Sequence, residues 1–179
     1  MTHITLAVTG SISAYKAADI TSQLTKLGFE VKVLMTPSAQ KFITPLTLQV
    51  LSKNPVGLEV MVEDDPQRIE HIDIGKETDL FLVAPASANT IAKLAMGLAD
   101  NMVTSTALAL PQRTKKLLAP AMNTKMLDHP ATQRNLKLLQ DYGYQIIQPR
   151  DAVLACGDKG AGALAPVETI VETVKENCL

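Results

Sequence analysis

Short apolar runs rich in β-branched residues alternate along this chain with longer stretches of helical period, and no other feature narrows the fold as much. Residues 4–9 read as a buried strand that ends at Gly10-Ser11. Within 14–27, Ala17, Ile20, Leu24 and Leu27 recur at spacings of three and four, which is one face of a helix, and Gly28 follows as its stop. Residues 31–35 form a second strand, and 42–51 a helix with Pro45 in its first turn. The stretch 52–76, with Pro55, Gly57, Pro66 and Gly75, reads as a loop interrupted by short pieces. Further strands are expected at 80–84, 116–119 and 144–147, and helices at 89–96, 101–110, 132–141 and 166–176. Residues 151–165 hold Gly157, Gly160 and Gly162 with little periodicity, and read as a mobile flap. Strand, helix, strand in repetition is the signature of an α/β domain on a parallel sheet. No repeat and no linker composition divides the 179 residues, so one domain is expected over 1–179.

Charge and cysteine content exclude several classes of function. The 17 Lys and Arg nearly balance the 18 Asp and Glu, and Lys115-Lys116 is the one adjacent basic pair. A nucleic-acid partner would need a clustered basic face, so none is expected. Apolar runs such as 80–84 are far shorter than the roughly 18 residues a spanning helix requires. The first residues, Met1-Thr2-His3-Ile4-Thr5, lack the basic start and apolar stretch of a leader. A cytoplasmic protein without membrane contact is expected, and Cys156 and Cys178 are expected to stay reduced.

In open parallel sheets ligands bind beyond the carboxyl ends of the strands. There the chain carries Gly10-Ser11-Ile12-Ser13, Thr36-Pro37-Ser38-Ala39, Pro85-Ala86-Ser87-Ala88-Asn89-Thr90 and Pro120-Ala121-Met122-Asn123. A helix cap explains any one of these. Together, converging on one crevice, they suggest a phosphorylated ligand with hydrogen-bonding ring edges. The first turn matches neither G-x-G-x-x-G nor G-x-x-x-x-G-K-[ST], which disfavours a dinucleotide or a triphosphate and leaves a single phosphate.

Reactive side chains are few. His71 stands between Glu70 and Asp73, a setting that on its own suits a structural histidine as well as a catalyst. Cys156 sits in Ala155-Cys156-Gly157-Asp158-Lys159-Gly160-Ala161-Gly162, where the glycines favour an exposed functional thiol over a core one. The His and Cys residues show no ligand spacing, so no metal is expected. There is no G-x-S-x-G elbow either.

Pro85-Ala86-Ser87-Ala88-Asn89-Thr90 is identical to the PASANT motif of the flavin-containing cysteine decarboxylases, and Pro120-Ala121-Met122-Asn123-Thr124-Lys125-Met126 matches their PxMNxxM motif. Ala155-Cys156-Gly157 with its glycines resembles their cysteine flap, and Gly10-Ser11-Ile12 is similar to their first strand–helix turn. The four matches fall in family order over residues 10–162. The resemblance implies a Rossmann-like (flavodoxin-like) parallel sheet with helices on both faces. It implies FMN as cofactor, a homo-trimer or an assembly of trimers, and FMN near a subunit boundary. Within the family the chain most resembles the branch of coenzyme A biosynthesis, whose substrate is 4′-phosphopantothenoylcysteine. Since the chain stops near residue 179, a stand-alone decarboxylase without a fused synthetase is expected.

By that resemblance, the cysteine moiety is oxidised to a thioaldehyde, CO₂ leaves to give an enethiol, and reduction of the enethiol yields 4′-phosphopantetheine. His71 would serve the oxidation, Asn123 with Met122 would hold the substrate, and Cys156 would protonate the enethiol. Gly10, Ser11, Ile12 and Ser38 would line the FMN phosphate site, and Ser87, Ala88, Asn89 and Thr90 would contact the flavin. Two departures stand out: Leu127 where the family often has Trp, and Ala163 where the flap commonly has Arg, with Lys159 a nearby substitute. Two alternatives remain, a decarboxylase of a peptide's C-terminal cysteine and a non-enzymatic regulatory flavoprotein.

Overall fold

In the computed structural model, which describes residues 2–62, 66–155, 157 and 159–178, the apolar runs become strands of one sheet. Strands β1 (His3–Val8), β2 (Glu30–Met35), β3 (Leu80–Ala86), β4 (Lys115–Pro120) and β5 (Tyr144–Ile146) are all parallel, in the order β2-β1-β3-β4-β5. Ile4 of β1 pairs with Val31 on one side and Leu80 on the other. Every residue of the central strand β3 is buried. A strand covered on both faces needs apolar side chains at every position, so its run is continuous where a half-exposed strand would alternate.

Helices α1 (Ala17–Lys26), α2 (Pro45–Ser52), α3 (Glu70–Glu77), α4 (Ala88–Met96), α5 (Met102–Leu108), α6 (Thr124–Asp128), α7 (Pro130–Asp141) and α8 (Val167–Cys178) fill the connections. Side chains of successive strand residues point to opposite faces, which builds two cores. Ile4, Leu6 and Val8 pack with Ile20 and Leu24 of α1, Leu48 of α2 and Ile170 of α8. Ala7, Phe81 and Val83 pack with Ile74 of α3, Ile91 of α4, Met102 of α5 and Leu139 of α7. Each large aliphatic group so buried contributes about 1.5–3 kcal/mol before conformational entropy is counted. Among the described residues, the expected α/β sheet with helices on both faces is what forms.

Three segments differ from the sequence expectation. The stretch expected as a loop contains α3, whose Ile69 start has no side-chain cap. Gly75 is not a breaker there: a Cβ on it would approach the Ala109 carbonyl oxygen to 3.0 Å, so glycine lets α3 pack against the end of α5. Helix α6 follows directly on the Asn123 turn. The helix expected at 132 begins at Pro130, with His129 Nδ1 accepting the Ala131 N–H. The glycine-rich region is not irregular but an antiparallel hairpin of β6 (Arg150–Val153) and β7 (Lys159–Ala163).

From β1 the chain goes outward to β2, then returns to β3 on the other side of β1. The carboxyl ends of β1 and β3 therefore mark the point where the winding reverses and a crevice opens.

Candidate active site

Thr9, fully buried, holds that crevice in shape. Its hydroxyl donates to the Pro85 carbonyl at 2.6 Å and accepts the Ser87 N–H at 2.9 Å. One side chain thus clasps the ends of two adjacent strands and aims both following turns into the same space. Thr9 belongs to none of the motifs, and its one signal in the sequence is a hydroxyl closing an apolar run.

Gly10 follows. A Cβ there would lie 2.5 Å from the Ser38 Cβ, so the turn after β1 rests directly on the turn after β2. Ser11 accepts the Ser13 N–H at 3.3 Å and caps the turn of 3-10 helix, Ile12–Lys16, that leads into α1. The result is a tight backbone cradle at the head of a helix, the arrangement that receives a phosphate.

Gly10, Ser11, Ile12, Ser87, Ala88, Met122 and Asn123 line one cleft of about 480 Å³, a size that suits a small-molecule cofactor. Ile12 and Tyr15, each 58% exposed, stand around it with Phe42 and Met126. Exposed apolar side chains beside a phosphate cradle are what a flat, partly apolar ring system would cover. These residues fit FMN: Gly10 to Ser13 would hold its phosphate, and the apolar rim its ring.

The remaining expected residues separate into groups. Ser38 backs Gly10. Thr90 is buried; its N–H donates to Ser87 Oγ and its hydroxyl oxygen accepts from the Ser87 hydroxyl, each at 3.2 Å, so it braces the turn that starts α4. Asn89 is exposed, and neither it nor Thr90 is among the described residues lining the cleft. Asn123 accepts the Lys125 N–H with its side-chain oxygen at 2.9 Å, which caps α6 and fixes the amide's orientation. Met122 donates its N–H to the Gly162 carbonyl at 2.9 Å, tying the hairpin to the Asn123 turn. His71 lies on α3, away from the described lining of the cleft, and its buried Nδ1 has no hydrogen-bond partner. Cys156 lies outside the described residues; Ala155, just before it in sequence, lines the cleft.

The other cysteine is a poor nucleophile: burial and then the charge of Asp79 push the Cys178 thiol up. Among the described residues no cluster of His, Cys, Asp or Glu could hold a metal ion, and no helix is long and apolar enough to cross a membrane.

The flavoprotein family model matches residues 1–179. A Streptococcus mutans protein named probable phosphopantothenoylcysteine decarboxylase is 64% identical over 173 residues, covering 97% of each chain. A solved PPC decarboxylase variant complexed with pantothenoylaminoethenethiol superposes with a TM-score of 0.90 at 32% identity, covering 98% of this chain and 97% of that one. The FMN-dependent cysteine decarboxylase SpaF superposes with a TM-score of 0.85 at 26% identity, covering 100% of this chain and 98% of that one. The chain therefore belongs to the flavoprotein family and, within it, to the phosphopantothenoylcysteine decarboxylases.

Proposed function

We propose that this chain decarboxylates 4′-phosphopantothenoylcysteine to 4′-phosphopantetheine with the help of FMN. The observation that carries this reading is the cleft itself, which is lined by the Gly10–Ser13 turn, by Asn123 at the cap of α6 and by residues of the β6–β7 hairpin. That arrangement accommodates a flavin and a second, extended ligand at once. When bound, FMN supplies two-electron redox chemistry at the thiol-bearing carbon, which gives the electrons left by CO₂ somewhere to go.

The residues divide the remaining work. The Asn123 amide, held by its cap on α6, orients the substrate carboxylate so that the breaking bond is aligned, with Met122 packing beside it. Cys156 delivers the proton to the enethiol carbon from its place in sequence beside the cleft-lining Ala155. The hairpin acts as a flap that closes over substrate and excludes water. His71 assists proton removal in the oxidation step. Because its own cleft lies elsewhere on the chain, it does so in the cleft of a second copy, within a homo-trimer or an assembly of trimers. Its unpartnered buried Nδ1 supports that assignment. The place of work is the cytoplasm, where Cys156 stays a thiol.

Incubating the FMN-loaded protein with 4′-phosphopantothenoylcysteine and, separately, with a cysteine-ended peptide, and measuring CO₂ from each, tests the reading. Release from the first substrate and not the second is expected. Release from the peptide alone would replace it with the peptidyl alternative.

A further inference from the structure

The cleft has an electrostatic character that the overall composition hides. The chain carries a net charge of −1, yet the described residues lining the cleft include Lys16 and Arg150 and no carboxylate. Lys16 ends the turn that forms the phosphate cradle, so it belongs to the wall assigned to FMN. Arg150, on β6, lines the same cleft together with Ala152 of its own strand. No ion pair among the described residues engages Arg150. A guanidinium keeps its charge at any physiological pH and meets an oxyanion with two parallel donors.

The hairpin ladder gives this position a further meaning. Arg150 pairs directly with Ala163 of β7, and both residues line the cleft. Lys159, the substitute suggested by sequence proximity, pairs with Val153 at the other end of the ladder and is not among the described lining residues.

We propose that Arg150 is the anchor for the phosphate of the substrate. This rests on the decarboxylase reading above. The substrate offers two anions, and the chemistry chooses between them. A guanidinium paired with the departing carboxylate would stabilise the ground state more than the transition state, whose charge is leaving, and would slow the loss of CO₂. The phosphate is not consumed, so pairing with it adds binding without that penalty. Arg150 is exposed at the cleft wall, where a dianion can keep part of its hydration.

The test uses calorimetric binding of 4′-phosphopantetheine and of pantetheine, its dephosphorylated form, to the FMN-loaded protein. The native protein is expected to prefer the phosphorylated ligand by roughly 10- to 100-fold, the span of one charge-assisted pair. Arg150→Ala should abolish that preference and leave pantetheine affinity unchanged. In turnover it should raise KM with kcat preserved. Adding Ala163→Arg to Arg150→Ala should restore most of the preference, since the charge returns to the same rung. Preference retained by Arg150→Ala, or both ligands weakened equally, overturns the proposal. A native protein that releases no CO₂ yet shows the Arg150-dependent preference overturns the decarboxylase reading and leaves the anchor in place.

Discussion

Gly162→Ala should undock the hairpin from the cleft without unfolding the domain. Gly162 has φ +140, a conformation that L side chains rarely adopt, and its added Cβ would lie 2.2 Å from the Met122 carbonyl oxygen. That oxygen is backbone, so the overlap is relieved only by moving one strand away from the Asn123 turn. The move breaks the Met122 N–H to Gly162 carbonyl bond at 2.9 Å. The strained dihedral costs about 1–3 kcal/mol and the lost hydrogen bond about 1 kcal/mol. Together they oppose docking by about 2–4 kcal/mol, a factor of roughly 30 to 700 in the docked population. The hairpin is a separate sheet from the five parallel strands, so global stability should hardly move. Amide exchange at Met122 reports the docking directly, and kcat/KM with 4′-phosphopantothenoylcysteine should fall in parallel. Gly28→Ala is the control, because its φ is +88 but a Cβ there meets nothing within 4 Å. Unchanged Met122 exchange with unchanged turnover in Gly162→Ala would refute the claim that this contact positions the hairpin.

Thr9→Val should cost about 2–4 kcal/mol in urea unfolding and weaken FMN binding, since it leaves the buried Pro85 carbonyl and the half-buried Ser87 N–H without their partner. Loss of stability with unaltered FMN affinity would show that Thr9 braces the core and not the cleft. Cys156→Ser should release CO₂ but stall at the enethiol, and His71→Asn should release none. Mixing the two variants as re-formed oligomers should restore product if His71 serves a neighbouring cleft, whereas no recovery would place both roles within one subunit. The Lys76 ammonium and the Arg68 guanidinium hold the Asp73 carboxyl below the usual carboxylate range. A depressed carboxyl stabilises the fold above its unfolded pKa, and the benefit is lost as pH falls through the folded value. Exchange protection along α3 should therefore stay level from pH 7 down to that range, and loosening already in mildly acid buffer would contradict it.

Much of the molecule was legible in the order of residue types. The runs at β1, β2, β3 and β4 and the period of α1 follow from burial alone, because a strand buried on both faces must be apolar throughout and a helix on one face must be apolar at every third or fourth residue. The motif residues Ser87, Ala88, Met122 and Asn123 could be placed beyond strand ends for the same reason, since turn position follows once the strands are known. What resisted were segments whose stability comes from neighbours far along the chain. Helix α3 has a weak period and a glycine, and forms because α5 admits it at Gly75. The hairpin has few side chains to announce it, and its glycines are there for contact with the Met122 turn. Residue types along the chain determined a parallel α/β sheet with small polar turns at its strand ends, and the motif resemblance implied a flavin there. Only the tertiary structure decided that Thr9 clasps its two edges, that His71 lies outside its own cleft, and that Arg150 faces Ala163, because those relations are distances between residues that sequence order keeps apart.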